Sequence, residues 1–178
     1  LIIITSGSGT NKIAASYGTS IFYGDFVKWA DDNPNTTIQK DTGTTSMTPI
    51  GVFLGVSHTD PSTGQTTFNQ YYPASTNASD IMAYVASDPF LIMQMQSDES
   101  LTQDDLGKNV AVVQTAGSTA VGTSKNAVDG STAATTNTLP LKIIDFVEGS
   151  DSAIGDSFTD VLVMFNAGHQ LLNTTGIG

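Results

Sequence analysis

Short β-prone runs separated by clusters of Gly, Pro, Asp, Asn and Ser predict an all-β fold. The expected form is a β-sandwich or barrel of about seven to nine short strands, with long loops and one short helix. Three observations carry this expectation. Runs such as 52–56, 90–96 and 158–166 are rich in β-branched, aromatic or alternating apolar residues and are short for helices. The acids are nearly all Asp, with Glu99 and Glu148 the only Glu, and Asp favours turns and caps where Glu favours helix interiors. Charged residues make up only 13%, and Thr, Ser, Asn, Gln and Gly supply the remaining polarity, a composition suited to sheets, turns and protein-facing surfaces.

Taken in order, the chain opens on Leu1, Ile2, Ile3 and Ile4, followed by the small polar stretch TSGSGTNK. Residues 1–16 are expected to form a flexible arm. An uncovered apolar run is an aggregation liability. These four residues are therefore the candidate inter-subunit contacts, an arm that adds a strand to a neighbouring subunit. The run lacks the charged leader and length of a signal peptide, and no stretch approaches the ~20 apolar residues of a membrane span.

Residues 17–170 are expected to form a single β domain, and 171–178 a C-terminal tail. In 17–29, Ile21 and Tyr23 alternate, Gly24-Asp25 turns or bulges, and Phe26, Val27 and Trp29 continue as strand. Residues 36–40 read as a short strand with Ile38 inward. The centre of the chain is 48–74, a long hairpin. Gly51 and Gly55 bracket its first strand, where a bulge or close backbone approach fits. His58 to Gly64 supplies the turn chemistry, and 66–72 the return strand. The Asp88-Pro89 break favours a strand over a helical turn in 81–86. In 90–96, Leu91, Met93 and Met95 face one way and Ile92, Gln94 and Gln96 the other, with the methionines expected in the core.

Residues 100–107 are the best helix candidate. Ser100 or Thr102 caps it, Asp104 and Asp105 sit early, Leu101 and Leu106 pin it, and Gly107 closes it. A strand follows at 110–114. Residues 115–138 hold little bulk and are expected to be a long surface excursion anchored by Val121 and Val128. The last strands fall at 139–147 and 158–166. In the latter, Val161, Val163 and Phe165 share one face and Leu162 and Met164 the other, which suggests burial on both.

The net charge is −11, and all basic residues are lysines: Lys12, Lys28, Lys40, Lys108, Lys125 and Lys142. Without Arg, and with a repelling field, neither a nucleic-acid partner nor an anionic membrane is expected. The absence of Cys excludes disulfides and thiolate metal sites. His58 and His169 are the only histidines and read as loop residues, with no nucleophile-elbow motif near them. Asp31-Asp32 and Asp104-Asp105 are the densest acid pairs, but neither has the spacing of a calcium loop. Glu99 and Glu148 sit beside turn residues rather than in a carboxylate pair suited to glycoside hydrolysis. Gly7-Ser8-Gly9 is a link rather than a phosphate loop. No catalytic residue, no metal ligand and no cofactor are expected.

The blocks GTSIFYGDFVKW, TPIGVFLGVSHTDPSTGQTTFNQYYPA, LPLKIIDFVEG and GDSFTDVLVMFNAGHQ together resemble small structural virion proteins of marine tailed bacteriophages, of the head-decoration or cement type. The resemblance is scattered over about 17–170. It implies a β-rich, non-enzymatic protein on the capsid exterior, partnered with the major capsid protein lattice and with itself as a trimer. Two other readings stay open. One is a receptor- or carbohydrate-binding β-module of a phage tail or fibre, with Trp29, Tyr71 and Tyr72 as stacking platforms. The other is a secreted hydrolase on a β-sandwich.

Overall fold

The computed structural model describes residues 11–30 and 37–171, so Leu1, Ile2, Ile3 and Ile4 lie outside the described residues. The fold is all-β. Eleven strands are described: β1 Lys12–Ile13, β2 Phe26–Trp29, β3 Thr37–Lys40, β4 Gly51–Thr59, β5 Thr66–Asn69, β6 Met82–Ala86, β7 Ile92–Gln96, β8 Asn109–Val113, β9 Ala127–Ala134, β10 Leu141–Phe146 and β11 Asp160–Phe165. Where one domain is expected from the sequence, contacts divide the described chain into two compact units, each with its own sheet. The first holds the chain up to Asp41, Pro49–Ser87 and Ala116–Lys125; the second holds Thr42–Thr48, Asp88–Thr115 and the chain from Asn126 on.

The sheet of the first unit runs β2-β3-β1-β6-β4-β5, and β2 also pairs with β4. That extra pairing, Phe26 with Val52 and Val27 with Gly51, joins the start of the sheet back to its fifth strand. The result is a small closed ring of strands with β5 appended, which removes most of the edges an open sheet would leave. All its pairings are antiparallel except β1 with β3. Alternate side chains fill the ring: Ile13, Phe26, Ile38, Phe53, Val56 and Val85 are buried. Gly51 is required where β4 crosses β6, because a Cβ there would run into the Ala86 carbonyl oxygen. The ladder with β6 slips between Phe53 and Gly55, a bulge at the second of the two bracketing glycines.

The β4–β5 hairpin forms as its turn chemistry predicts. The Asp60 carboxylate accepts from Ser62 N–H at 2.7 Å and Thr63 N–H at 3.2 Å, and Gly64 takes a positive φ of 69°. Strand β4 runs further than expected and carries His58 into the sheet, where it is buried.

The sheet of the second unit runs β7-β11-β10-β8-β9, all antiparallel. A parallel bridge from Ser97 to Val128, with Asp98 N–H donating to the Val128 carbonyl at 2.9 Å, ties the C-terminal end of β7 to β9. Val110, Val112, Leu141, Ile143, Val161 and Val163 form the core. Leu162 and Met164, expected to be buried, are only half-buried. Likewise Met93 and Met95 are half-buried rather than in the core, because β7 has a neighbour on one side only along that length.

Three elements differ from expectation. Within the arm of residues 1–16 expected to be flexible, Lys12–Ile13 forms β1, held between β3 and β6 with Ile13 buried. The helix of 100–107 is a single 3-10 turn, Gln103–Asp105. Asp105 accepts from Thr102 N–H and Oγ1 at 2.8 and 2.9 Å, and Gly107 turns the chain at φ 81° before a second helical turn can form. Leu101 pins this segment, but Leu106 is 42% exposed. The excursion of 115–138 contains β9, an eight-residue strand. A strand needs backbone pairing rather than bulk, and here small residues are required: a Cβ on Gly130 would lie 2.8 Å from Ser97 Oγ. Thr132 Oγ1 accepts from Ala111 N–H at 2.8 Å, bridging the slip in the β8–β9 ladder. Val128 is an anchor as expected; Val121 is 65% exposed and anchors nothing.

Candidate functional surface

Several polar groups held by the sheets are partnered within the fold, while the buried His58 Nδ1 on β4 and Asn109 Oδ1 on β8 have no hydrogen-bond partner among the described residues. In the first unit, Gly24 turns the chain at φ 91° and delivers Asp25 into the interior. Lys40 Nζ on β3 meets Asp25 Oδ1 at 2.9 Å, and Phe22 N–H donates to Asp25 Oδ2 at 2.9 Å. This buried ion pair pins the turn before β2 to β3, a positioning role rather than a chemical one. The sequence offered Asp25 only as a turn residue; its partner lies fifteen positions away and on another strand.

His58 is not the loop histidine expected. It faces Thr67 of β5, with Nε2 3.4 Å from Oγ1. Next to it, the exposed Asp80 accepts from Thr59 Oγ1 at 2.6 Å and Thr59 N–H at 3.1 Å. The Thr59 hydroxyl, then its N–H, hold the Asp80 carboxyl below the ordinary range. Among the described residues, no serine hydroxyl is hydrogen-bonded to His58. His169, in the second unit, does sit in a turn, its ring nitrogens 3.4 and 3.0 Å from the carbonyl oxygens of Met47 and Asn137. Of the acid pairs, Asp105 is engaged by Thr102 and by Lys108 Nζ at 2.8 Å, while Asp31-Asp32 lies outside the described residues. Among the described residues, no three His, Asp or Glu side chains converge as metal ligands would.

The aromatic platform expected for carbohydrate does not form as a set. Tyr72 is fully buried, with its hydroxyl donating to the Tyr17 carbonyl at 3.1 Å. Burial raises its phenol above the ordinary value despite that bond. Tyr71 stacks on Phe22 with ring centroids 5.4 Å apart, and both it and Trp29 are half-buried.

Among polar exposed positions, a few large apolar side chains also point outward. In the first unit Phe68, on the appended strand β5, is 72% exposed. In the second, Phe90 is 71% exposed in the turn before β7, Ile92 58% exposed at the start of β7, and Phe158 57% exposed just before β11. From Phe90 to Ser97 the chain carries no charge and no Pro. Edge strands are ordinarily guarded by Lys, Pro, a bulge or a covering element. Along Ile92–Gln96 the ladder to β11 is continuous, with no Lys, Pro or bulge, and among the described residues only β9, bridged at Ser97, comes near its other side. Sequence reasoning located this strand and its alternation but not its place at the sheet's margin, since strand order is a tertiary property.

No protein-family model matches this chain, and no curated protein and no solved structure is significantly similar to it. Among the described residues, no helix is long and apolar enough to cross a membrane.

Proposed function

We propose that this chain is a non-enzymatic structural virion protein that decorates or cements the outer surface of a phage capsid, as a symmetric homo-oligomer, a trimer by family analogy. The observation that carries this reading is the set of exposed large apolar side chains, Phe68 on β5, Ile92 on β7 and Phe90 in the turn before it. Such surfaces mark protein contacts. The block resemblance to decoration proteins supplies the particle, and is an argument by analogy. Composition supports it: few charges, no Cys and a net charge of −11. That acidity suits an exterior position better than an interior one facing like-charged DNA. Many equal copies on a lattice multiply weak contacts into avidity.

The deciding experiment is to locate the chain in an electron-microscopy map of the intact particle. Density on the head exterior, at a symmetry-related position, is the expected result. Density on the tail would transfer the chain to the receptor-binding reading. A companion test removes Leu1, Ile2, Ile3 and Ile4: the shortened protein should keep its β-type circular dichroism but bind particles more weakly. Undiminished binding would sink the arm's role in attachment.

A further inference from the structure

The open margin of β7 and the apolar N-terminal run answer each other. Ser97 N–H donates to the Thr159 carbonyl at 2.8 Å, and the register continues as Met95 with Val161 and Met93 with Val163. Hydrogen-bonded pairs alternate in an antiparallel ladder, so these are the residues bonded to β11. The N–H and C=O groups of Ile92 and Gln94 therefore point to the open side. Nothing among the described residues pairs with them.

This margin has apolar side chains on both faces at its start. Ile92 stands on the exposed face with Gln94 and Gln96, Met93 and Met95 are half-buried on the other, and the exposed Phe90 and half-buried Leu91 lie in the turn just before the strand. A strand added here would need apolar residues at consecutive positions rather than alternate ones. The run Leu1, Ile2, Ile3, Ile4 has that pattern and carries no charge. The other margins fit it less well. On β5 only Phe68 is apolar, with Thr67 and Asn69 opposite. On β9 Asp129 adds a charge, and Asp98 Oδ1 already takes the Gly130 N–H at 3.0 Å. Ten extended residues, such as 1–10, reach about 35 Å, long enough to cross between neighbouring molecules.

We propose that Leu1, Ile2, Ile3 and Ile4 of one copy add as a strand to the open side of β7 in a second copy. The contact is heterologous, arm to edge, and where its rotation closes such a contact builds a ring such as a trimer. The inference rests on the assembly part of the function proposed above, and not on the capsid.

The chain has no Cys, so introduced thiols report without background. Chains carrying Ile2→Cys or Ile3→Cys would be mixed with chains carrying Gln94→Cys under mild oxidation. Interchain disulfide should form about tenfold faster than with chains carrying Ser131→Cys on β9, because strand addition raises the local concentration. In full-length protein, Gln94→Pro should lower the oligomeric mass in light scattering with the circular dichroism retained. The N–H it removes faces outward, so the ladder to β11 is intact. Equal cross-linking to both partners, an unchanged mass in the Gln94→Pro protein, or disulfide forming only within a chain carrying both cysteines would each overturn the proposal. All of this uses purified protein: cross-linking without particle binding would remove the capsid reading alone, and particle binding without cross-linking would remove this one alone.

Discussion

Asp105 holds three donors at once: Thr102 N–H, Thr102 Oγ1 and Lys108 Nζ. Burial pushes its carboxyl up, but the Lys108 and Thr102 bonds outweigh that and hold it below the ordinary range. A depressed folded value means stability that is present above the unfolded value and lost as pH falls through the folded one. Asp105→Asn should therefore cost about 1 kcal/mol at neutral pH. The difference between the two proteins should shrink in acid, as pH falls through the depressed value of the wild-type carboxyl and protonates it too. Urea unfolding at both pH values measures this; a pH-independent difference would contradict it. The cap, the early acids and the closing Gly107 were legible in SLTQDDLG, because capping is local chemistry. The exposure of Leu106 was not, because it depends on where the turn ends and not on the residue's own preference.

At the scale of elements, the strands were legible wherever apolar residues recur, as in β4, β7, β10 and β11. They were hidden where pairing replaces bulk. Strand β9 is Ala, Gly, Ser and Thr apart from Val128 and Asp129, and it forms because β8 lies beside it with its own backbone to satisfy. The turn before β2 and the end of β3 carry a further unread link, the Asp25–Lys40 pair, with side-chain exposures of 0% and 9%. Removing one member of a buried pair leaves an uncompensated charge, which is costlier than losing the attraction. Lys40→Met should lower unfolding stability by about 3 kcal/mol, read from chemical denaturation monitored by circular dichroism. A loss under about 1 kcal/mol would place the pair among weak surface contacts.

For the molecule as a whole, the all-β class followed from composition and turn spacing, but the division into two units did not. The chain passes from one unit to the other after Asp41, Thr48, Ser87, Thr115 and Lys125, so no stretch of composition marks a boundary. The candidate docking margin shares this origin: β7 is marginal only because β11, far along the sequence, takes its other side. The same threading governs unfolding. Thr42–Thr48 is a short excursion into the second unit, and Ala116–Lys125 a short return to the first. The latter carries real contacts: Thr123 bridges to Tyr23, and Gly117 lies against the Phe22 ring. If the first unit unfolds, Thr42–Thr48 is pulled at both ends. If the second unfolds, Ala116–Lys125 must stay docked between two loosened segments and bear the cost of closing both loops. Unfolding should thus be one cooperative transition. Trp29, the only Trp, sits in β2 and reports the first unit alone. Its fluorescence midpoint in urea should coincide with the far-ultraviolet circular dichroism midpoint, which both sheets determine, to within about 0.2 M. A dichroism signal that persists after Trp29 is exposed would mean that the second unit stands without the first.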